Sequence, residues 1–179
     1  MIPESRENAT LKNYITTPVE IWSDVKNKMV PVTFPGHFDI RNSYFLFGPP
    51  KKGKTHLLWS QYRAMTEEGI FKTYIEREFS LLRKMQEQSY EGVKHFNLDQ
   101  KGLHFFIDEF ADSEISDDKG MHMFALLDRL HESRAGLTVT SNWSLKEINE
   151  KKMFGDRTEK ITWRIKDLCH IVRFGGTER

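Results

Sequence analysis

Cysteine is all but missing: Cys169 is the one thiol in a chain of 179 residues. That excludes a disulfide framework and a cysteine-built zinc site, and it suits a reducing compartment. Proline is missing from everything after position 50, since all six (Pro3, Pro18, Pro31, Pro35, Pro49, Pro50) come earlier. Proline breaks regular elements, so residues 1–42 read as a loosely built lead-in and residues 43–179 as one densely structured domain. No apolar run approaches the ~18 residues of a membrane span, and MIPESRENAT has no signal-peptide pattern. A soluble, cytoplasmic protein with no membrane partner is therefore expected. Excess charge is missing too: 27 Lys and Arg face 26 Asp and Glu, for a net charge of +1. No global field draws such a chain to nucleic acid, so any contact of that kind has to come from a local patch. Aromatics, by contrast, reach 12%, which excludes the composition of a disordered chain. The seven histidines show no metal spacing; His104 reads as a core residue and Cys169 as a buried thiol.

In the lead-in, Thr17-Pro18-Val19-Glu20 has the letters of a capping box with proline in the first helical position. The reading is a short helix to about Met29. From residue 43 onward apolar runs alternate with helical periodicity. Strands are expected at 43–47, 71–75, 103–108, 137–141 and 170–174. Helices are expected at 55–66, 78–89, 119–132, 145–150 and 158–168. Short apolar strands separated by amphipathic helices predict an α/β domain whose parallel sheet is covered on both faces.

The first of those strands runs into GPPKKGKT, which fits GxxxxGK[ST] at every fixed position and is followed by a helical pattern. Gly48, Pro49, Pro50, Lys51, Lys52 and Gly53 would form a loop whose N–H groups face a phosphate, with a helix N-terminus behind it. Lys54 would reach the β- and γ-phosphates of ATP, and the Thr55 hydroxyl would ligate Mg²⁺. His56 follows directly and is taken with the nucleotide site. Asp108 and Glu109 end an apolar strand downstream. In this pairing Asp108 serves the Mg²⁺ shell and Glu109 orients or deprotonates an attacking water. Asn142 closes the strand LTVTS at the sheet end where open α/β folds bind ligands.

Together YFLFGPPKKGKTHL, LHFFIDEF, LTVTSNWSLKEI and GDRTEKITWRIKDLCHIVRFGG resemble the DnaC/IstB-like branch of the AAA+ ATPases, over roughly residues 43–176. The resemblance implies a P-loop NTPase with a five-stranded parallel sheet in the order 5-1-4-3-2. By position, Lys54 and Thr55 match the Walker A residues, Asp108 and Glu109 the Walker B pair, and Asn142 sensor 1. Arg164 matches an arginine that enters a neighbouring subunit's ATP site, with Arg157 and Lys160 as further basic residues beside it. The family's single-stranded DNA handling falls on the stretch 81–96, with Arg83, Lys84 and Tyr90 as its contacts. Lys51-Lys52 departs from the family's usual Gly-Thr. The expected protein is an ATP-dependent helicase loader acting on a DnaB-type replicative helicase and single-stranded DNA, as a homo-oligomer or a partner-induced assembly. It has no C-terminal lid domain, and the lead-in is its docking segment. Two other readings stay open: a transposition helper ATPase that binds duplex DNA and a transposase, and a non-catalytic module that sequesters a host helicase or loader.

Overall fold

The computed structural model describes residues 9–11, 18–23, 26–33, 38–69, 72–87, 101–112 and 117–175. Seven strands form one sheet: β1 (Pro18–Ser23), β2 (Lys28–Thr33), β3 (Tyr44–Phe47), β4 (Lys72–Arg77), β5 (Leu103–Phe110), β6 (Gly136–Ser141) and β7 (His170–Phe174). Among the described residues five α-helices accompany them: α1 (Lys54–Glu68), α2 (Glu78–Glu87), α3 (Asp117–Glu132), α4 (Leu145–Glu150) and α5 (Thr158–Leu168). A 3-10 turn, Gly155–Arg157, leads into α5.

The sheet order is β2-β1-β7-β3-β6-β5-β4. Its five parallel strands follow the expected order, β7-β3-β6-β5-β4. The expectation of five strands in all is corrected to seven, because the lead-in adds an antiparallel pair at the β7 edge. The helix expected from Thr17 to Met29 is likewise replaced by β1 and β2. Val19 pairs with Phe174 and Ile21 with Val172, so the alternation Val19, Ile21 carries the segment into the core. Pro31 fits this arrangement because β2 is the outermost strand, where a missing N–H costs no ladder bond.

Both faces of the parallel strands are buried, which is why those strands are nearly all apolar. Tyr44, Leu46 and Phe106 pack with Leu57, Leu58 and Met65 of α1 on one face. Phe45, Phe105 and Ile107 pack on the other with α2 (Leu81, Met85), α3 (Met123, Leu127) and α5 (Ile161, Ile165). Cys169 is buried, its Sγ donating to the carbonyl of Leu137 at 3.3 Å, and burial pushes the thiol's pKa far up. Among the described residues no helix is long and apolar enough to cross a membrane.

Candidate functional site

The ends of β3, β5 and β6 meet the start of α1 at one rim of the sheet. The loop of residues 48–53 between β3 and α1 is held there by its glycines. Gly48 has φ 138°, and a Cβ on it would stand 2.2 Å from the carbonyl oxygen of Phe174, so β7 leaves room only for hydrogen. Gly53, at φ 90°, precedes α1 and caps it with no side-chain hydrogen bond, and the first turn carries no acid. The first N–H groups of α1 therefore keep their positive end open to an anion.

Lys54 is 6% exposed. Its Nζ donates to the carbonyls of Gly48 (2.7 Å) and Pro49 (2.8 Å) and to Oδ1 of Asn142 (3.1 Å). Burial pulls its pKa down, and the nearby Asp108 and Asp112 carboxylates pull it back up. Thr55 Oγ1 donates to Asp108 Oδ1 at 3.0 Å. Lys54 and Thr55 on α1, Asp108 on β5 and Asn142 just after β6 are thus joined as two hydrogen-bonded pairs, Lys54 with Asn142 and Thr55 with Asp108.

Asp108 and Glu109 do not end β5; they lie inside it, before Phe110, where the register against β6 shifts. The bulge separates the two acids. Asp108 is 1% exposed, whereas Glu109 is exposed at φ 63°, a left-handed conformation that costs about 1–2 kcal/mol in a residue with a Cβ. Two β6 hydroxyls fasten this turn. Thr140 Oγ1 donates to Asp108 Oδ1 (2.6 Å) and accepts the Glu109 N–H (3.1 Å). Ser141 Oγ donates to the Phe110 carbonyl at 2.8 Å. Glu109 forms an ion pair with Arg77 at 3.6 Å. Behind it the buried Glu78 accepts the Ala111 N–H (2.9 Å) and pairs with the buried Lys119 (3.5 Å).

A cavity of about 250 Å³ lies in front of these groups, lined among others by Pro50, Lys51, Lys52, Gly53, Lys54, Thr55, Glu109 and Asn142. His56 lines it as well, its Nε2 standing 3.4 Å from the Thr10 carbonyl. Three contributors were not anticipated from sequence. Asp112 accepts from Asn142 Nδ2 at 3.2 Å, Thr140 anchors Asp108, and Arg77 holds Glu109. The DEFAD string carries Asp112 in plain view, but only folding puts it opposite Asn142.

Arg164 lies elsewhere. It sits on α5, donates from Nη2 to Asp128 Oδ1 at 2.6 Å and stacks near Trp163, in a separate depression with Phe124 and Lys160. The cation of Arg157 lies 5.9 Å from the Phe124 ring and that of Lys160 6.0 Å. Arg83 is paired with Glu87 and Lys84 with Glu76, so both cations are partly spent within the protein. Tyr90 and the rest of the stretch 88–96 lie outside the described residues.

The family described as IstB-like ATP binding protein matches residues 36–178. No curated protein matches the chain in sequence. Its fold is similar to the crystal structure of the DnaC helicase loader, with TM-score 0.69, 14% identity, and coverage of 97% of this chain and 100% of that one. It is equally similar to the crystal structure of DnaI, with TM-score 0.69 and 14% identity over 100% and 94% of the two chains. AMPPCP-bound DnaA from Aquifex aeolicus gives TM-score 0.60 and 15% identity over 74% of this chain, which spans only 40% of the DnaA chain. At these identities the likeness is one of fold.

Proposed function

The chain belongs to the IstB-like ATP-binding protein family, and we propose that it is an ATP-hydrolysing helicase loader within it. The observation that carries this reading is the convergence of Lys54, Thr55 and Asn142 on one cavity beside an uncapped helix N-terminus, with the buried Asp108 held against Thr55. Phosphate oxygens compete with the two loop carbonyls and Asn142 Oδ1 for the Lys54 ammonium, and they bring the negative charge that a buried cation favours. The Thr55 hydroxyl and the Asp108 carboxylate, 3.0 Å apart, are hard oxygen donors of the kind Mg²⁺ selects. They would hold the ion, which supplies charge neutralisation to the β- and γ-phosphates.

Glu109 is the residue for the water. It is exposed toward the cavity side of the bulge, and its carboxylate takes the proton as the water oxygen attacks the γ-phosphorus and the bond to the β-phosphate oxygen breaks. Asn142, held between Lys54 and Asp112, presents its amide to the γ-phosphate. Arg164, remote from its own cavity, serves a neighbouring copy's site. An arginine supplied in that way is worth about 10³–10⁵ in rate in GTPases. The nucleotide state would govern the grip on a DnaB-type replicative helicase and on single-stranded DNA.

A second reading follows from the family itself. A transposition helper would use the same cradle but prefer duplex DNA and a transposase. The deciding experiment measures ATP turnover against protein concentration, with single-stranded DNA, duplex DNA and a replicative helicase added in turn. Turnover that rises with concentration, is stimulated by helicase and single strand, and is lost in Arg164→Ala supports the loader. Stimulation by duplex alone supports the helper. Turnover independent of both concentration and Arg164 rejects the shared-site mechanism.

A further inference from the structure

A second cavity, of about 500 Å³, opens at the opposite end of the sheet, where β5 and β6 begin. Arg41, Ser43, His104, His131, Arg134 and Gly136 are among its lining residues. Nothing in the ATP site explains it.

The protonation of its floor can be worked out from the hydrogen bonds. Gln61 Nε2 donates to the carbonyls of Ile40 (2.7 Å) and Asn42 (2.8 Å), which leaves Gln61 Oε1 to accept the Thr138 hydroxyl proton at 2.9 Å. The Thr138 oxygen has then given away its proton, so it must accept at 2.9 Å from His104 Nε2. His104 is therefore the Nε2–H tautomer, and its Nδ1 is a lone-pair acceptor. The residue is 2% exposed and remains uncharged, since burial pushes its pKa down to about 3. Nδ1 lies against Gly136, where a Cβ would stand 2.2 Å away. The absence of a side chain at Gly136 is what leaves that acceptor a way out to the cavity.

The rim supplies the complementary charge. Arg134 closes α3 in a left-handed conformation, φ 53°, with its N–H on the His131 carbonyl and the next N–H on that of Leu130. That is the helix-ending motif in which glycine is the usual residue. An arginine there is strained, and it carries no ion pair among the described residues. Among the described residues the Arg41 guanidinium pairs only at long range, 3.9 Å from Glu68. His131 is engaged by Asp167 at 2.7 Å.

We propose that this cavity binds a small phosphomonoester of nucleotide size, its phosphate between Arg41 and Arg134 and a hydroxyl or amine donor at its other end on His104 Nδ1. Guanidinium groups favour phosphate by their fork of donors, and the volume lies in the range of small-molecule sites. The site is distinct from the ATP cradle.

The test is calorimetric titration of AMP and of inorganic phosphate into the full-length chain, with the cradle disabled by Lys54→Ala or filled with AMPPCP. AMP binds in both backgrounds. Arg134→Gly weakens it at least tenfold while the melting temperature holds or rises, because glycine relieves the left-handed strain. Gly136→Ala, which buries the acceptor, also loses AMP. Absence of AMP binding at millimolar concentration, or undiminished binding in Arg134→Gly, overturns the proposal. Inorganic phosphate binding as tightly as AMP overturns the role of His104 and with it the two-ended site.

Discussion

Mild acid is the perturbation that should expose the buried histidine. His104 is enclosed between Phe106, whose ring centroid lies 4.6 Å away, and Thr138, and burial lowers its pKa from 6.5 to about 3. Below pH 6.5 the unfolded chain binds a proton on this residue and the native chain does not, so stability is complete above 6.5 and is lost progressively between 6.5 and about 3. Each pH unit costs about 1.4 kcal/mol, giving about 2 kcal/mol by pH 5 and about 5 kcal/mol once the native pKa is reached. Against a typical domain stability of about 5–15 kcal/mol, that is a large contribution from one side chain. The assay is urea unfolding from pH 7.5 to 4.5 for the wild type and His104→Gln, whose amide still donates to Thr138 and does not titrate. The variant starts lower for want of the ring, so the slopes are what matter. The wild-type curve should fall more steeply, by about 1.4 kcal/mol per pH unit below 6. Parallel curves would refute a histidine kept neutral by burial.

Three further outcomes are expected. Glu109→Gln should bind ATP normally and hydrolyse it about 10²–10⁴-fold more slowly in single-turnover measurements; an unchanged rate removes Glu109 from the chemistry. Gly48→Ala forces a Cβ to within 2.2 Å of the Phe174 carbonyl, so urea unfolding should show a loss of roughly 2–4 kcal/mol together with weakened nucleotide binding. Burial lowers the Lys54 pKa from its ordinary 10.5, so its proton, and with it nucleotide affinity, should be lost as pH rises, with a midpoint below 10.5. Fluorescent-nucleotide titration that stays flat through that range contradicts a buried, charge-bearing lysine.

The loop of residues 48–53 was legible because its spacing is structural: Gly48 and Gly53 must fall where they do for the backbone to turn from β3 into α1. The parallel core was legible for a similar reason, since strands buried on both faces have to be apolar throughout. The lead-in was not. Thr17-Pro18-Val19-Glu20 spells a helix start, and local letters carry no news that β7 presents an unpaired edge; pairing with Val172 and Phe174 overrode propensity. Thr140 and Asp112 escaped notice for another reason. A threonine in LTVTS reads as ordinary strand composition and an aspartate after β5 as ordinary loop, until the register of β5 against β6 sets each beside its partner. Arg134 left no trace at all, because a basic residue at a helix end satisfies the dipole whatever its backbone does.

The lead-in hairpin also sets what the outer margin of the sheet offers to another strand. A strand arriving alongside β2 finds no N–H at Pro31, and one arriving alongside β4 meets the charged side chains of Glu76 and Arg77. Both margins of the sheet thus discourage extension by backbone pairing. Among the described residues, the two margins of the seven-stranded platform are therefore the faces least suited to joining one copy to the next.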